Sequence, residues 1–146
     1  MRVMVIMKAS EASEQGIMPS QKALEEMMAY NETLVNAGVM LAGEGLAASS
    51  QGARVVFDGN KTPVVVDGPF AETKELIAGF WIWQVKSLEE AIDWARKIPN
   101  TDGEHHAVEI RRIFSPEDFG EALTPEIAEK VEELSARGGH YAAGKA

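Results

Sequence analysis

The first side chains that could do chemistry lie in one stretch, Asp67-Gly68-Pro69-Phe70-Ala71-Glu72-Thr73-Lys74-Glu75. The apolar run Val64 to Val66 delivers the chain to a strand end, and Gly68-Pro69 then forces a bend. Glycine tolerates unusual dihedrals there and proline fixes its own. Phe70 is an apolar anchor able to pin the bend to a core. Asp67 at the strand mouth is then a candidate acceptor or base, and Thr73 and Lys74 beyond the bend are candidates for binding an anion. The same residues also read as a stiff turn followed by solvated charges.

Glu44 sits between Gly43 and Gly45 in an otherwise apolar strand, where glycines mark a bulge or a close approach. A carboxylate buried at such a point tends to a raised pKa suited to proton transfer. The alternative is a strand-end carboxylate in solvent. Asn31 falls within the apolar face of a helix, where an unpaired amide would cost about 1–3 kcal/mol. It either ties the helix to an irregular strand such as Gly43–Gly45 or reaches a pocket. Tyr30 flanks the same face, with its hydroxyl directed to a pocket or to water. Glu109 and Arg111, two apart on one strand, share a face and suit an ion pair. His105 and His106, if both in that strand, point to opposite faces, and His140 lies in the tail. With no cysteine, no metal-ligand spacing emerges.

These residues need elements to hold them. Arg2 to Lys8 predicts a strand apolar on both faces. Ser10 to Ser20 reads as a polar loop ending at the N-cap Ser20. A helix follows over Gln21 to Ala37, its apolar face made by Leu24, Met27, Met28, Leu34 and Val35, with Gly38 ending it. Val39 to Leu46 predicts a strand. Arg54–Phe57 and Thr62–Val66 predict a hairpin turning at residues 58–61. Ala78 to Val85 is again apolar on both faces. Ser87, three before Glu90, predicts a capping box opening a second helix that stops at Pro99. His106 to Phe114 predicts the last strand, and Thr124-Pro125 opens a third helix to about Arg137.

The order β-α-β-β-β-β-α-β-α predicts an α+β fold. It is a ferredoxin-like sandwich with an antiparallel sheet, helices on one face and an extra C-terminal helix. One domain is expected over residues 1–137, the last helix occupying about 124–137, with a flexible tail at 138–146. The other sheet face, expected to carry Trp81 or Trp83, needs a cover, and a second subunit in a homodimer supplies it.

Composition narrows the function classes. A net charge of -9 argues against nucleic acid, which requires a basic stripe. There is no apolar run of the length a membrane span needs, about 18 residues, and no leader pattern, so the expected location is the cytoplasm. No nucleophile elbow, phosphate-binding loop or dinucleotide fingerprint is present.

The stretch DGPFAETKE resembles the signature of the DGPF branch of the YciI-related family. Tyr30-Asn31-Glu32, GVMLAGEGL (38–46), LIAGFWIWQV (76–85), EAIDWARKIP (90–99), VEIR (108–111) and EDFGEALTP (117–125) are similar to it as well. The resemblance implies a dimeric α+β barrel, in which two ferredoxin-like subunits join their sheets. It also implies chemistry without a tightly bound cofactor. YciI-type relatives carry a His–Asp pair with the histidine on the first helix. No histidine lies between Gln21 and Ala37 here, and Arg96-Lys97-Ile98-Pro99 stands where the aspartate would fall, so that chemistry does not transfer. Some DGPF relatives are joined to, or encoded beside, sigma factors of the extracytoplasmic-function type.

Two functions follow as expectations. One is a small-molecule-binding protein with a pocket near the DGPF turn and isomerase- or lyase-like chemistry. Asp67 or Glu44 would be its acid/base group, and Tyr30, Asn31, Thr73 and Lys74 would hold the ligand. The other is a regulatory module whose acidic surface meets a basic partner such as a sigma factor.

Overall fold

The computed structural model describes residues 1–138, so all of the expected tail but Gly138, His140 included, lies outside the described residues. Strand β1 (Arg2–Lys8) leads to a short helix α1 (Glu11–Glu14) and then to α2 (Gln21–Asn36). Strands β2 (Met40–Gly45), β3 (Ala53–Val56), β4 (Val64–Asp67) and β5 (Ile77–Gln84) follow. Helix α3 (Leu88–Ala95), strand β6 (Val108–Arg112) and helix α4 (Pro125–Ala136) complete the chain. The main sheet has the order β2-β5-β1-β6, with β5 antiparallel to both β1 and β2. Each long crossover, through α2 or α3, skips one strand, which is the ferredoxin-like arrangement. The β3–β4 hairpin is inserted as a separate two-stranded sheet. Residues 2–111 form one compact unit, and Met1 with the described residues from Arg112 onward forms a second.

Helix α2 starts where Ser20 Oγ accepts from the Ala23 amide at 3.1 Å and stops at Gly38, whose φ of 71° lies in the left-handed region. Its inner face is not the one expected. Leu24, Met28 and Val35 are exposed, while Tyr30 and Leu34 are buried and Met27 packs beside them. The helix is rotated so that Tyr30 and Asn31 meet the sheet. Polar anchors, rather than the widest apolar stripe, set its orientation.

The expectation that Trp81 or Trp83 lies on the uncovered sheet face is corrected. Both are buried with Val3, Val5, Leu34 and Ala91 on the face that α2 and α3 cover. The opposite face carries Met4, Ile6, Phe80 and Ile82, all half-buried. Period-two alternation separates the two faces but does not say which one the helices take. The face the helices take is the one on which the Trp81 indole meets a polar partner on α2, Asn31.

Other differences are local. Ser10 to Ser20 is not all loop: Ser10 and Ser13 cap α1 reciprocally, with Ser13 N donating to Ser10 Oγ at 3.1 Å and Ser10 N to Ser13 Oγ at 2.9 Å. Ser87 caps α3 through the Glu90 amide at 3.1 Å, but the Glu90 carboxylate accepts from Lys86 N instead of closing the box on Ser87. His105 and His106 both precede β6, so strand alternation does not govern them.

The second unit has its own anchors. Arg112 grips the Asp118 carboxylate with two bonds of 2.7 and 2.9 Å, and Ser115 N donates to the same carboxylate. The Arg112 contact, first among these, holds Asp118 well below the usual carboxylate range. Phe114 and Phe119 meet edge to face at 5.4 Å. Thr124 caps α4, and Pro125 occupies its first turn.

Leu34 is fully buried at the centre of the first core. Leu34→Ala is expected to cost about 2–5 kcal/mol in chemical denaturation, the range for a large-to-small core change. Tyr30→Phe, which strips the hydroxyl from the Trp94 carbonyl, should cost about 1–3 kcal/mol because that acceptor is left unpaired.

Candidate functional site

The DGPF turn is held from below by a serine. Glu14 of α1 accepts from Ser49 N at 3.1 Å and from Ser49 Oγ at 2.6 Å, and Ser49 Oγ accepts in turn from Phe70 N at 3.1 Å. Gly68 packs so closely on this serine that a Cβ there would stand 1.7 Å from the Ser49 carbonyl oxygen. Gly68 N also donates to the Gly52 carbonyl at 3.0 Å, and the Gly68-Pro69 peptide is cis. Phe70 is not pinned to the core as expected. Its ring lies under the Arg54 guanidinium at 3.8 Å, outside the core cluster. The motif therefore clasps the base of the β3–β4 hairpin to α1.

Beyond the clasp the chain makes a single 3-10 turn, Thr73–Glu75, and enters β5. Here β1 ends between its two neighbours. Lys8 N donates to the Ala107 carbonyl and Ala9 N to the Leu76 carbonyl, both at 2.9 Å. The split opens a cleft of about 720 Å³ walled by α1, by the Thr73 turn and by the loop before β6. Its polar lining includes Ser10, Glu11, Thr73, Lys74, Glu104 and His105. Among the described residues, Lys74, Glu11, Glu104 and His105 make no side-chain hydrogen bond or ion pair, so their charges and donors are unspent. Ser10, 7% exposed, accepts from Ser13 N and keeps its own hydroxyl proton uncommitted.

The loop that carries Glu104 and His105 is itself anchored. Asp102 accepts from Ser20 Oγ at 2.7 Å and from Ser20 N at 3.2 Å, and these bonds lower its pKa. Thr101 donates to Glu26 on α2. Asn100 closes the loop internally on the Glu104 carbonyl at 2.9 Å.

The residues singled out in the sequence separate into three places. Thr73 and Lys74 line the cleft. Tyr30 and Asn31 face the helix side of the sheet. There Tyr30 donates to the Trp94 carbonyl at 2.6 Å, and Asn31 Oδ1 accepts from the Trp81 indole at 2.9 Å. Burial pushes the Tyr30 phenol above its ordinary pKa. Glu44 is exposed on the edge strand β2, opposite Phe80, and therefore on the sheet face away from α2. Asp67 is exposed at the end of β4, paired with Ala53. Asn31, Glu44 and Asp67 do not converge on one cavity. Glu109 bonds both Lys8, at 3.8 Å, and Arg111, at 3.4 Å, as an ion pair on one strand face allows. No group of three metal-binding side chains occurs among the described residues, and none of their helices is long and apolar enough to cross a membrane.

Sequence reading missed the α1 wall and the Glu104–His105 wall. The signal for the first was Ser10-x-x-Ser13, a capping pattern inside a stretch otherwise polar enough to pass for loop. The second carries no local signal, because only the sheet order brings the loop before β6 beside the end of β1.

A model of the YCII-related domain matches residues 1–115. An uncharacterised protein of Rhizobium meliloti (strain 1021) is 32% identical over 93 residues, covering 64% of this chain and 74% of that protein. Among solved structures, the 5-chloro-2-hydroxyhydroquinone dehydrochlorinase of Burkholderia phenoliruptrix AC1100, in complex with 2,5-dihydroxybenzoquinone, matches with a TM-score of 0.46 at 18% identity. That match covers 79% of this chain and 95% of the other.

Two outcomes test the anchors of the cleft. Ser49→Ala removes the hydroxyl that donates to Glu14 and accepts from Phe70 N, leaving the Ser49 amide on Glu14, and amide exchange at Phe70 should speed up by about tenfold or more, as loss of ~1.4 kcal/mol or more implies. For Asp102 the folded pKa is depressed, so its contribution is present above about pH 4 and is lost as pH falls through the folded value. The Ser20 amide resonance should titrate in that acid window, and Asp102→Asn should abolish the step.

Proposed function

For a chain that belongs to the family of YCII-related domains, we propose that the cleft at the end of β1 binds a small polar organic molecule. The observation that carries this reading is the concentration of unspent groups in one concavity. Lys74, Glu11, Glu104 and His105 line it with no side-chain hydrogen bond or ion pair among the described residues, beside the hydroxyls of Ser10 and Thr73. Other charged side chains pair, as Lys61 does with Asp58 and Lys130 with Glu133, or stand singly on the open surface; here four share one concavity.

The roles follow from chemistry. Lys74 and Thr73 take an anionic or carbonyl oxygen, since an ammonium and a hydroxyl both donate. His105, whose imidazole nitrogens can donate and accept, is the natural proton carrier, with Glu104 and Glu11 as second carboxyl groups in reach of a bound molecule. Isomerase- or lyase-like proton transfer is the reaction such a set can support. Proton transfer falls to this cluster, and Asp67 and Glu44, which stand on the hairpin and the edge strand, take no part in it.

The assembly reading rests on the sheet. Its second face, with Met4, Ile6, Phe80 and Ile82, is apolar enough to meet its equivalent in a homodimer.

Titrating the isotope-labelled protein with panels of small organic acids and hydroxy-ketones tests the binding site. Shifts should cluster at Ser10, Ala12, Thr73, Lys74 and His105. Lys74→Ala should weaken a hit about tenfold or more, as loss of a charged hydrogen bond worth ~1.5–3 kcal/mol implies. Asp67→Asn and Glu44→Gln should leave binding and any turnover unchanged. Shifts centred on the hairpin or on β2, or turnover that depends on Asp67 or Glu44, would overturn the assignment.

A further inference from the structure

The charges around the cleft at the end of β1 are sorted by wall. Helix α1 brings the Glu11 carboxylate, and the loop before β6 brings the Glu104 carboxylate. The Thr73 turn brings the Lys74 ammonium, with the Thr73 hydroxyl beside it. Among the described residues Lys74 meets neither carboxylate, and no three carboxylates and imidazoles gather closely enough to hold a metal ion. Each wall has its own anchor: Glu14 on Ser49, Ser49 on Phe70 and Asp102 on Ser20. The two signs are thus held apart across a cleft of about 720 Å³. One ammonium against two carboxylates leaves the lining with an excess of negative charge, in a chain whose net charge is -9.

That balance selects among ligands. A plain organic acid would find one donor wall and two carboxylates that repel it. A plain amine would find the carboxylates but face the Lys74 ammonium. A neutral molecule would match none of the three charges. On the reading that the cleft binds a small polar molecule, we propose that its ligand is two-ended. One end is an ammonium and the other an anionic or carbonyl oxygen, the chemistry of an ω-amino acid. Glu11 and Glu104 take the ammonium, and Lys74 and Thr73 take the oxygen, since an ionised carboxylate only accepts and an ammonium only donates. Complementarity at both ends rejects molecules that match only one, because the unmatched end meets a like charge. His105 is then left free for proton transfer.

The test titrates the full isotope-labelled chain with matched series at fixed ionic strength. These are ω-amino acids from glycine to 6-aminohexanoate, the unsubstituted carboxylic acids of the same lengths, and the corresponding alkylamines. Amide shifts at Glu11, Thr73, Lys74 and Glu104 report binding. At least one ω-amino acid should bind about tenfold or more tighter than both its acid and its amine, as one added charged hydrogen bond implies. Glu11→Gln/Glu104→Gln should remove the preference over the acid, and Lys74→Ala the preference over the amine. The substituted positions are exposed, so both variants should keep the wild-type circular dichroism; if one does not fold, the wild-type series decide. An acid or an amine that binds the cleft as tightly as its amino acid overturns the two-ended ligand and leaves the cleft reading standing. Cleft shifts absent from every series overturn it too, and the hydroxy-ketone panel then decides separately whether the cleft binds a ligand at all.

Discussion

The indole N–H of Trp81 donates to the side-chain oxygen of Asn31, and much of the main unit is arranged around that bond. It crosses from the central part of β5 to the inner face of α2, where Tyr30 also packs edge to face on the same indole at 6.2 Å. A buried amide without a partner is costly, so the pair specifies rotation as well as contact. Had α2 turned to bury Leu24, Met28 and Val35, more apolar surface would be covered but the indole and the amide would both be orphaned. Gly43 belongs to the same arrangement. A Cβ there would stand 2.9 Å from Trp81 Cδ1, so the edge strand must be bare where the indole lies. The pattern Gly-Glu-Gly is thus explained in part by room for Trp81, and Glu44 follows as the residue that faces away.

With the sheet and α2 locked, the end of β1 becomes a fixed point. Its last two amides turn to different neighbours, one toward Ala107 and one toward Leu76, and the side chains beyond cannot continue a strand. Three short segments meet there, and each has its own restraint. Glu14 holds α1 to Ser49, Ser49 holds the turn at Phe70, and Asp102 holds the third segment to the cap of α2. These anchors use carboxylates and hydroxyls other than those lining the cleft, and among the described residues Lys74, Glu11, Glu104 and His105 make no side-chain bond.

The strand and helix order could be read from the sequence because it rests on local signals: two-faced apolar runs, serine and threonine caps, and a glycine stop after α2. Orientation could not. Apolar spacing on α2 fitted a face containing Leu24 and Val35 as well as the true one, and only the long-range partners Trp81 and Trp94 separate them. The tryptophan face of the sheet failed for the same reason. In the candidate site, Thr73 and Lys74 were within reach because they follow a conspicuous bend. Glu104 and His105 were not, since their place depends on β6 lying beside β1, far away in sequence. Asn31 was correctly flagged as an amide that must find a partner, and that partner proved to be a tryptophan rather than the glycine strand.

The DGPF stretch divides into a half that builds the turn and a half whose Thr73 and Lys74 line the cleft. Gly68 is required because Ser49 occupies the space a side chain would need, and Phe70 contributes its amide and a ring for Arg54. Asp67 closes the ladder of the hairpin opposite Ala53 and is exposed to water, so nothing around it builds the desolvated setting a general base uses. Thr73 and Lys74 differ in kind: their side chains line the cleft, and among the described residues the ammonium meets no carboxylate. The first half of the motif therefore sets geometry for two surfaces at once, the β3–β4 hairpin on one side and the cleft on the other. A change at Gly68 or Ser49 must disturb both, whereas a change at Lys74 can disturb only the cleft.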